Sequence, residues 1–344
     1  MELDARKLRI LSAIVETHIA TGEPVGSKAV AAVLGDRVSP ATVRNEMAVL
    51  FDQGLLEQPH TSAGRVPSHL GYRLYLDELM REQPLTEGEK QEIEALFNLR
   101  NPDPDRLLED AARALADQTG CAVISTTLTR ESARVRKIEL IPATDHTVVI
   151  LLITSNGMVR NKTCRVDFVL TPKILEFLQN FANGNLAGRS INEITTAYLS
   201  SVAFTLGKEY VDIFSPLLSA IYELCRECSD GRIYRSGTSN LLEYEDLRRV
   251  ADQLFRVINS REAVLELIDR EEEGIRVFVG KENPNSGFAD SSVIISRYPI
   301  GPDNTGAMGL IGPIRMDYAR VIPHLAYFSQ TLGRLLEATL EDQK

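Results

Sequence analysis

Residues 27–73 constrain this chain most: two short amphipathic helices, a turn between them, and a polar hairpin behind them. SKAVAAVLGDRVSPATVRNEMAVL reads as helix, Gly35-bearing turn, helix. Ser27 is expected to cap the first helix, with Val30, Val33 and Leu34 on its inner face. Ser39 caps the second, and Pro40 fills its first position, where the missing N–H removes no intrahelical bond. Val43, Met47 and Leu50 recur at i, i+4 and i+7, a stripe suited to burial. Ala41, Asn45, Ala48 and Asp52 then face outward, with Thr42 and Arg44 on the flanks. Helices joined this way form a helix-turn-helix, in which the start of the second helix meets base edges in the major groove. Arg can grip guanine, Asn adenine, and Ser or Thr either a base or a phosphate. The candidate DNA-binding residues on this helix are therefore Ser39, Thr42, Arg44 and Asn45.

Leu55–Gln58 and Arg65–Pro67 are short enough to pair around PHTSAG as a hairpin, with Gly64 available for a positive-φ position. A hairpin behind a recognition helix is a wing, resting on phosphates or entering the minor groove. Thr61, Ser62 and Arg65 are its candidate contacts, Arg65 as the cation. GYRLYLDELM (71–80) follows as a linking helix, and MELDARKLRILSAIVETHI precedes as an amphipathic helix carrying Leu8, Leu11, Val15 and Ile19.

The chain is acidic, with net charge −10, yet residues 1–75 hold eight Lys/Arg and eight Asp/Glu. All of the negative excess therefore lies beyond the DNA-reading end and must face away from phosphates. The apolar run Val148–Ile153 is too short to span a bilayer, and the N-terminus does not resemble a signal peptide. Four cysteines among 344 residues make no disulfide framework, so a cytoplasmic protein with no membrane partner is expected.

REQPLTEGEK marks a boundary. Two helical segments follow (87–99 and 104–119), then strands at 121–127, 135–143 and 147–154. Asn156-Gly157 turns the last of these into MVRNKTCRVDF. Residues 172–228 read as helical, and a second mixed region runs from GTSNLLE through GIRVFVGKEN and SSVIISRYPIG to a final helix at 318–341. Strands on both sides of a helical block predict an α+β multidomain chain. The divisions are 1–82 for the DNA-binding end, 83–170 with 236–344 for an α+β domain in two segments, and 171–235 for an inserted, mostly helical subdomain.

Other motifs point away from chemistry. Cys225-x-x-Cys228 has metal-like spacing, but a zinc site needs about four ligands and neither a second pair nor a histidine pair is near. At i and i+3 of a helix the two cysteines share a packed face instead. GPDNTGAMGLIGP fits neither dinucleotide nor P-loop spacing and reads as a turn and a Gly-rich strand. The five histidines are scattered, and neither a nucleophile set nor a carboxylate pair emerges. No catalytic residue, cofactor or metal is expected.

TSAGRVPSHLGYR and GLIGPIRMDYARVIPHL, with GTSNLLE and VGKENP in matching order, together resemble the HrcA family of heat-inducible transcription repressors. Ser68 and Ile314 stand where the family pattern has Thr. The resemblance runs from the first helix to Leu340 and implies an N-terminal winged helix, a central GAF-like domain and an inserted dimerising subdomain. It further implies a homodimer on an inverted-repeat operator of double-stranded DNA upstream of chaperone operons. Activity is expected to depend on a GroEL-type chaperonin and to lapse under heat. The competing expectations are a regulator gated by a small molecule in the GAF-like domain, and an enzyme on a DNA-binding adaptor.

Overall fold

The computed structural model describes residues 3–35, 38–60, 63–97, 103–129, 133–155, 157–205, 207–229, 233–268, 274–301 and 304–341. The N-terminal unit contains α1 (Ala5–Thr21), α2 (Ser27–Leu34), α3 (Pro40–Asp52), the strands β1 (Leu56–Glu57) and β2 (Val66–Pro67), and α4 (His69–Leu74). A π-helical turn, Tyr75–Leu79, extends α4 toward α5 (Glu87–Leu96) and α6 (Pro104–Thr119). Then come β3 (Ala122–Thr129), β4 (Val135–Thr144), β5 (Thr147–Thr154) and β6 (Val159–Arg165), followed by α7 (Pro172–Leu186), α8 (Thr196–Phe204) and α9 (Lys208–Ser229). The chain closes with β7 (Ile233–Ser236), α10 (Glu245–Arg248), α11 (Ala251–Asn259), α12 (Arg261–Ile268), β8 (Gly274–Val279), β9 (Ser291–Ile300), β10 (Asn304–Pro313) and α13 (Tyr318–Glu341).

Five strands form one antiparallel sheet in the order β7-β3-β10-β9-β8. Its inner strands are apolar on both sides because both faces are covered. Ile294, Tyr298, Met308 and Leu310 pack with α6 and α13 on one face. Val293, Ile295, Ala307 and Ile311 pack with α11 and α12 on the other. Gly306 pairs with Tyr298, whose ring fills the space that a Cβ at residue 306 would need. The glycines of GPDNTGAMGLIGP therefore belong partly to a strand, as expected, and one of them seats an aromatic side chain.

Strands β4, β5 and β6 form a separate three-stranded sheet. Ile138, Leu140, Ile150 and Leu152 share a core with Leu178, Leu217, Ile221 and Leu224 of the helices that follow. The segment that interrupts the five-stranded sheet is therefore everything between Thr129 and Ile233, a sheet with helices. This differs from the expected helical insertion at 171–235, because strands 135–165 bury their apolar face on α7 and α9 rather than on the larger sheet. The Asn156 turn lies partly outside the described residues; Gly157 has φ +76° at the β5–β6 connection.

The N-terminal unit is fused to the sheet by one continuous apolar core. Ile10, Ile14, Val43 and Leu50 join Tyr72, Tyr318, Leu325 and Phe328 without a break. Tyr72 and Tyr318 meet edge to face, centroids 6.2 Å apart. Tyr72 Oη shares a 2.8 Å hydrogen bond with His18 Nδ1; Tyr318 Oη is 2.6 Å from Ser292 Oγ and donates to the Ile314 carbonyl at 2.6 Å. Burial and the nearby Arg315 guanidinium lower the His18 pKa. Beside this pair, Arg73 forks onto Glu282 through Nε (3.1 Å) and Nη2, and Nη2 also donates to the Val277 carbonyl at 2.7 Å.

Burial alone would raise the Glu282 carboxyl, but the Arg73 fork and the Val279 N–H offset this and hold it below its ordinary value. A carboxyl with a lowered folded pKa contributes stability above the ordinary carboxylate range, and the contribution is lost as pH falls through the lowered value. Arg73→Met is therefore expected to flatten the acid limb. Its drop in Tm between about pH 5 and about pH 3 should be smaller than that of the parent chain. Equal drops would contradict the pairing.

Candidate nucleic-acid interface

The geometry of α3 follows from its cap and its apolar stripe. Ser39 Oγ accepts from the Thr42 N–H at 3.1 Å and lies 2.9 Å from Thr42 Oγ1, with Pro40 in the first turn. Val43, Met47 and Leu50 are buried against α1 and α2, which fixes the opposite face outward. Ala41, Arg44, Asn45, Ala48 and Asp52 are exposed there, and Thr42 is half-buried. The sequence-predicted side chains of α3 are thus brought together in its first two turns, with the Ser39 and Thr42 hydroxyls engaged in the cap.

On α2 the inner face differs from expectation. Gly26, not Ser27, occupies the cap position, and no side chain caps the helix. Val30 is buried and Leu34 packs against the core as expected, but Ala31 is buried in place of Val33, which is 59% exposed. Lys28 is exposed on the uncapped first turn, a cation that pattern reading passed over.

Charge pairing on this face is selective. Glu46 is taken by Arg6 (3.7 Å) and Lys7 (3.5 Å) of α1, and Lys7 also holds Asp4 at 2.7 Å. The Lys7 ammonium keeps the Asp4 carboxyl at about 2. Arg44 has no ion pair among the described residues, and Glu46, two positions on, points to another side of the helix and pairs with α1.

The hairpin forms as expected, with Leu56 opposite Pro67 and Glu57 opposite Val66. A further bridge extends it: the Val25 N–H donates to Arg65 O at 2.8 Å and the Arg65 N–H to Val25 O at 2.9 Å. This explains Gly64 by close approach rather than by positive φ. A Cβ there would lie 2.5 Å from the Val25 carbonyl oxygen, and Gly64 is absent from the positive-φ glycines. Gln58 Nε2 donates to Ala63 O at 3.3 Å and the Ala63 N–H to His60 O at 2.9 Å, closing the loop. Thr61 and Ser62 lie outside the described residues.

Arg65 stands at the base of the hairpin, half-buried, with its guanidinium 4.8 Å from the centre of the Phe51 ring. The expected free cation of the wing is thus also a clasp between hairpin and α3. Phe51, 40% exposed near the end of α3, is the residue that sequence reading missed. An aromatic on an otherwise polar helix face was the available signal.

Elsewhere the structure offers little chemistry. The four cysteines are buried and form no disulfide, and Cys225 and Cys228 face one core; burial and Cys228 push Cys225 up to about 12. Among the described residues no group of three or more His, Cys, Asp or Glu could hold a metal, and no helix is long and apolar enough to cross a membrane. A cleft of about 1120 Å³ lies between α1, the turn after α4 and the start of α13. Arg9, Arg81, Arg315 and Arg320 line it against Glu16, Glu78, Glu82 and Asp317, a balance that selects neither anions nor cations.

Comparison with known proteins gives one consistent result. A family model described as the HrcA protein C terminal domain matches residues 105–322. The chain is similar to the heat-inducible transcription repressor HrcA of Thermoanaerobacter pseudethanolicus, 34% identical over the full length of both chains. It is also 34% identical to the repressor HrcA of Halalkalibacterium halodurans, over 97% of this chain and 98% of that one. A solved crystal structure of a hypothetical protein superposes with TM-score 0.70 at 25% identity, covering 98% of this chain and all of the other. The chain therefore belongs to the HrcA family of heat-inducible transcription repressors.

Proposed function

We propose that this protein represses chaperone operons by binding, as a homodimer, an inverted-repeat operator in double-stranded DNA. Residues 1–82 act as a winged helix, with α3 as the recognition helix and the hairpin as the wing. The observation that carries this reading is the outward face of α3. Its buried stripe presents Arg44 and Asn45 together, both exposed, and with no ion pair among the described residues the Arg44 guanidinium is available to bases or phosphates. Ser39 and Thr42 shape the helix start and offer hydroxyls near a phosphate; Thr61, Ser62 and Arg65 serve the wing.

The five-stranded sheet with helices on both faces is read as the GAF-like domain, and the unit between Thr129 and Ile233 as the dimerising subdomain. Ile141, Val159, Val169, Phe177 and Phe204, all on that inserted unit, are large apolar side chains left exposed in the single chain, which favours burial against a second copy. A two-fold dimer then presents two α3 helices to half-sites one or more helical turns apart.

Fluorescence anisotropy on a labelled inverted-repeat duplex and a scrambled one, at one salt concentration, tests the reading. The parent chain is expected to prefer the repeat by about a thousandfold or more. Arg44→Ala is expected to weaken operator binding by about 1–3 kcal/mol and to relax discrimination at one base pair of each half-site. Equal, steeply salt-dependent binding to both duplexes would contradict operator reading.

Release on heat needs no ligand if the dimer unfolds readily and refolds only with help from a GroEL-type chaperonin, because repression then follows the folded fraction. Purified protein taken through a heat-shock cycle is expected to lose operator affinity and to regain it on adding chaperonin with ATP. Full affinity after the cycle without chaperonin would count against that dependence.

A further inference from the structure

The motifs that carry the family likeness do not lie on the face of α3. GYR of TSAGRVPSHLGYR, the VGKENP turn and GPIRMDY meet instead where the N-terminal unit joins the five-stranded sheet. Tyr72 packs on Tyr318. Arg73, one residue further round α4, leaves the helix in another direction and reaches the sheet edge at β8, where it takes the Val277 carbonyl and the Glu282 carboxylate.

The two contacts differ in kind. The tyrosine pair is buried in the continuous core and hydrogen-bonded through both hydroxyls, an anchor between α4 and α13. The guanidinium fork is planar and directional. Its socket is stiff: Glu282 also accepts the Val279 N–H at 3.0 Å, and buried Asn283 donates to the carbonyls of Gly280, Phe288 and Ser291 at 2.7, 3.0 and 3.1 Å. Asp77 holds Arg73 Nη1 from the other side at 3.3 Å. Arg73 and Glu282 remain about 30% and 27% exposed, so solvent screening moderates what the fork adds to stability while its two-point geometry still fixes direction. Two separate contacts, one in the core and one directional fork at the β8 edge, together set an angle.

We propose that Arg73, seated in the Glu282 socket, is a positioning residue: it fixes the angle at which α3 and the hairpin leave the sheet, and so sets the half-site spacing that the dimer accepts. This rests on the operator reading above. The inserted unit determines where two subunits meet; the Arg73 lock determines where their recognition helices point.

The test uses the full-length chain on operators whose spacer is native, or lengthened by about two base pairs so that one half-site rotates out of phase. A single half-site duplex is measured alongside. The parent chain is expected to lose about a hundredfold in affinity on the altered spacer, since bivalent engagement fails when geometry forbids it. Arg73→Met, which keeps the apolar stem, is expected to bind the native spacer more weakly, to differ less than about threefold between spacers, and to match the parent on the half-site. Glu282→Gln, which keeps an acceptor for the Val279 N–H, is expected to flatten the spacer profile in the same way. A parent-like profile in both variants overturns the proposal, as does a parent chain indifferent to spacer length. A parent chain with no preference for operator over scrambled DNA overturns the operator reading instead.

Discussion

Burying Tyr72 against Tyr318 commits the first helices and the sheet to a single core, and much of the structure answers to that contact. Two phenolic hydroxyls enter an apolar interior with it, and each unpaired one would cost about 1–3 kcal/mol. His18 and Ser292, with the Ile314 carbonyl, supply the partners. Burial drives the pKa of both tyrosines well above the ordinary phenol value, so they remain neutral hydrogen-bonding groups. The edge-to-face geometry adds about 0.5–1.5 kcal/mol beyond the area it covers. Helix α4, which carries Tyr72, is thus seated on the sheet in one core with α1 and α3.

Electrostatics then decides what the outward face of α3 can do. The chain carries net charge −10, and its first 75 residues are neutral, so a broad basic surface is not available. Selective pairing takes its place. Arg6 and Lys7 compensate Glu46 and Asp4 within the helix pair, and Arg44 and Lys28 are outward cations without an ion pair among the described residues. On the proposed operator reading, so few outward cations imply a shallow dependence on salt and more reliance on base edges. Arg65 contributes differently, since its stacking on Phe51 ties the hairpin to α3.

Local chemistry was legible in the sequence; long-range pairing was not. The Ser39-Pro40 cap, the Val43, Met47 and Leu50 stripe and the Leu56–Pro67 pairing all rest on residues within a few turns of one another. The owner of strands 135–165 could not be read the same way. Alternation in β5 states that one face is buried, but not whether α7 and α9 or the larger sheet will cover it. Gly64 failed for a similar reason. Its need is the approach of Val25, about forty residues earlier, and not a local φ. On α2, Ala31 rather than Val33 joins Val30 and Leu34 on the inner face, a choice between apolar neighbours that local periodicity does not make. Among the candidate contacts, Thr42, Arg44 and Asn45 gather as the spacing implied, whereas the clasp between Arg65 and Phe51 joins residues whose separation hides it from any periodic pattern.

The central claim is that a two-fold pair of seated α3 helices reads successive major grooves. Hydroxyl-radical and guanine-methylation footprinting of the full-length chain on the inverted-repeat operator tests it most directly. The account predicts two protected patches on one face of the duplex, separated centre to centre by a whole number of turns of about 10–10.5 base pairs, with guanine N7 shielded in each. Continuous protection without phase, or backbone protection with every guanine N7 still reactive, would contradict it.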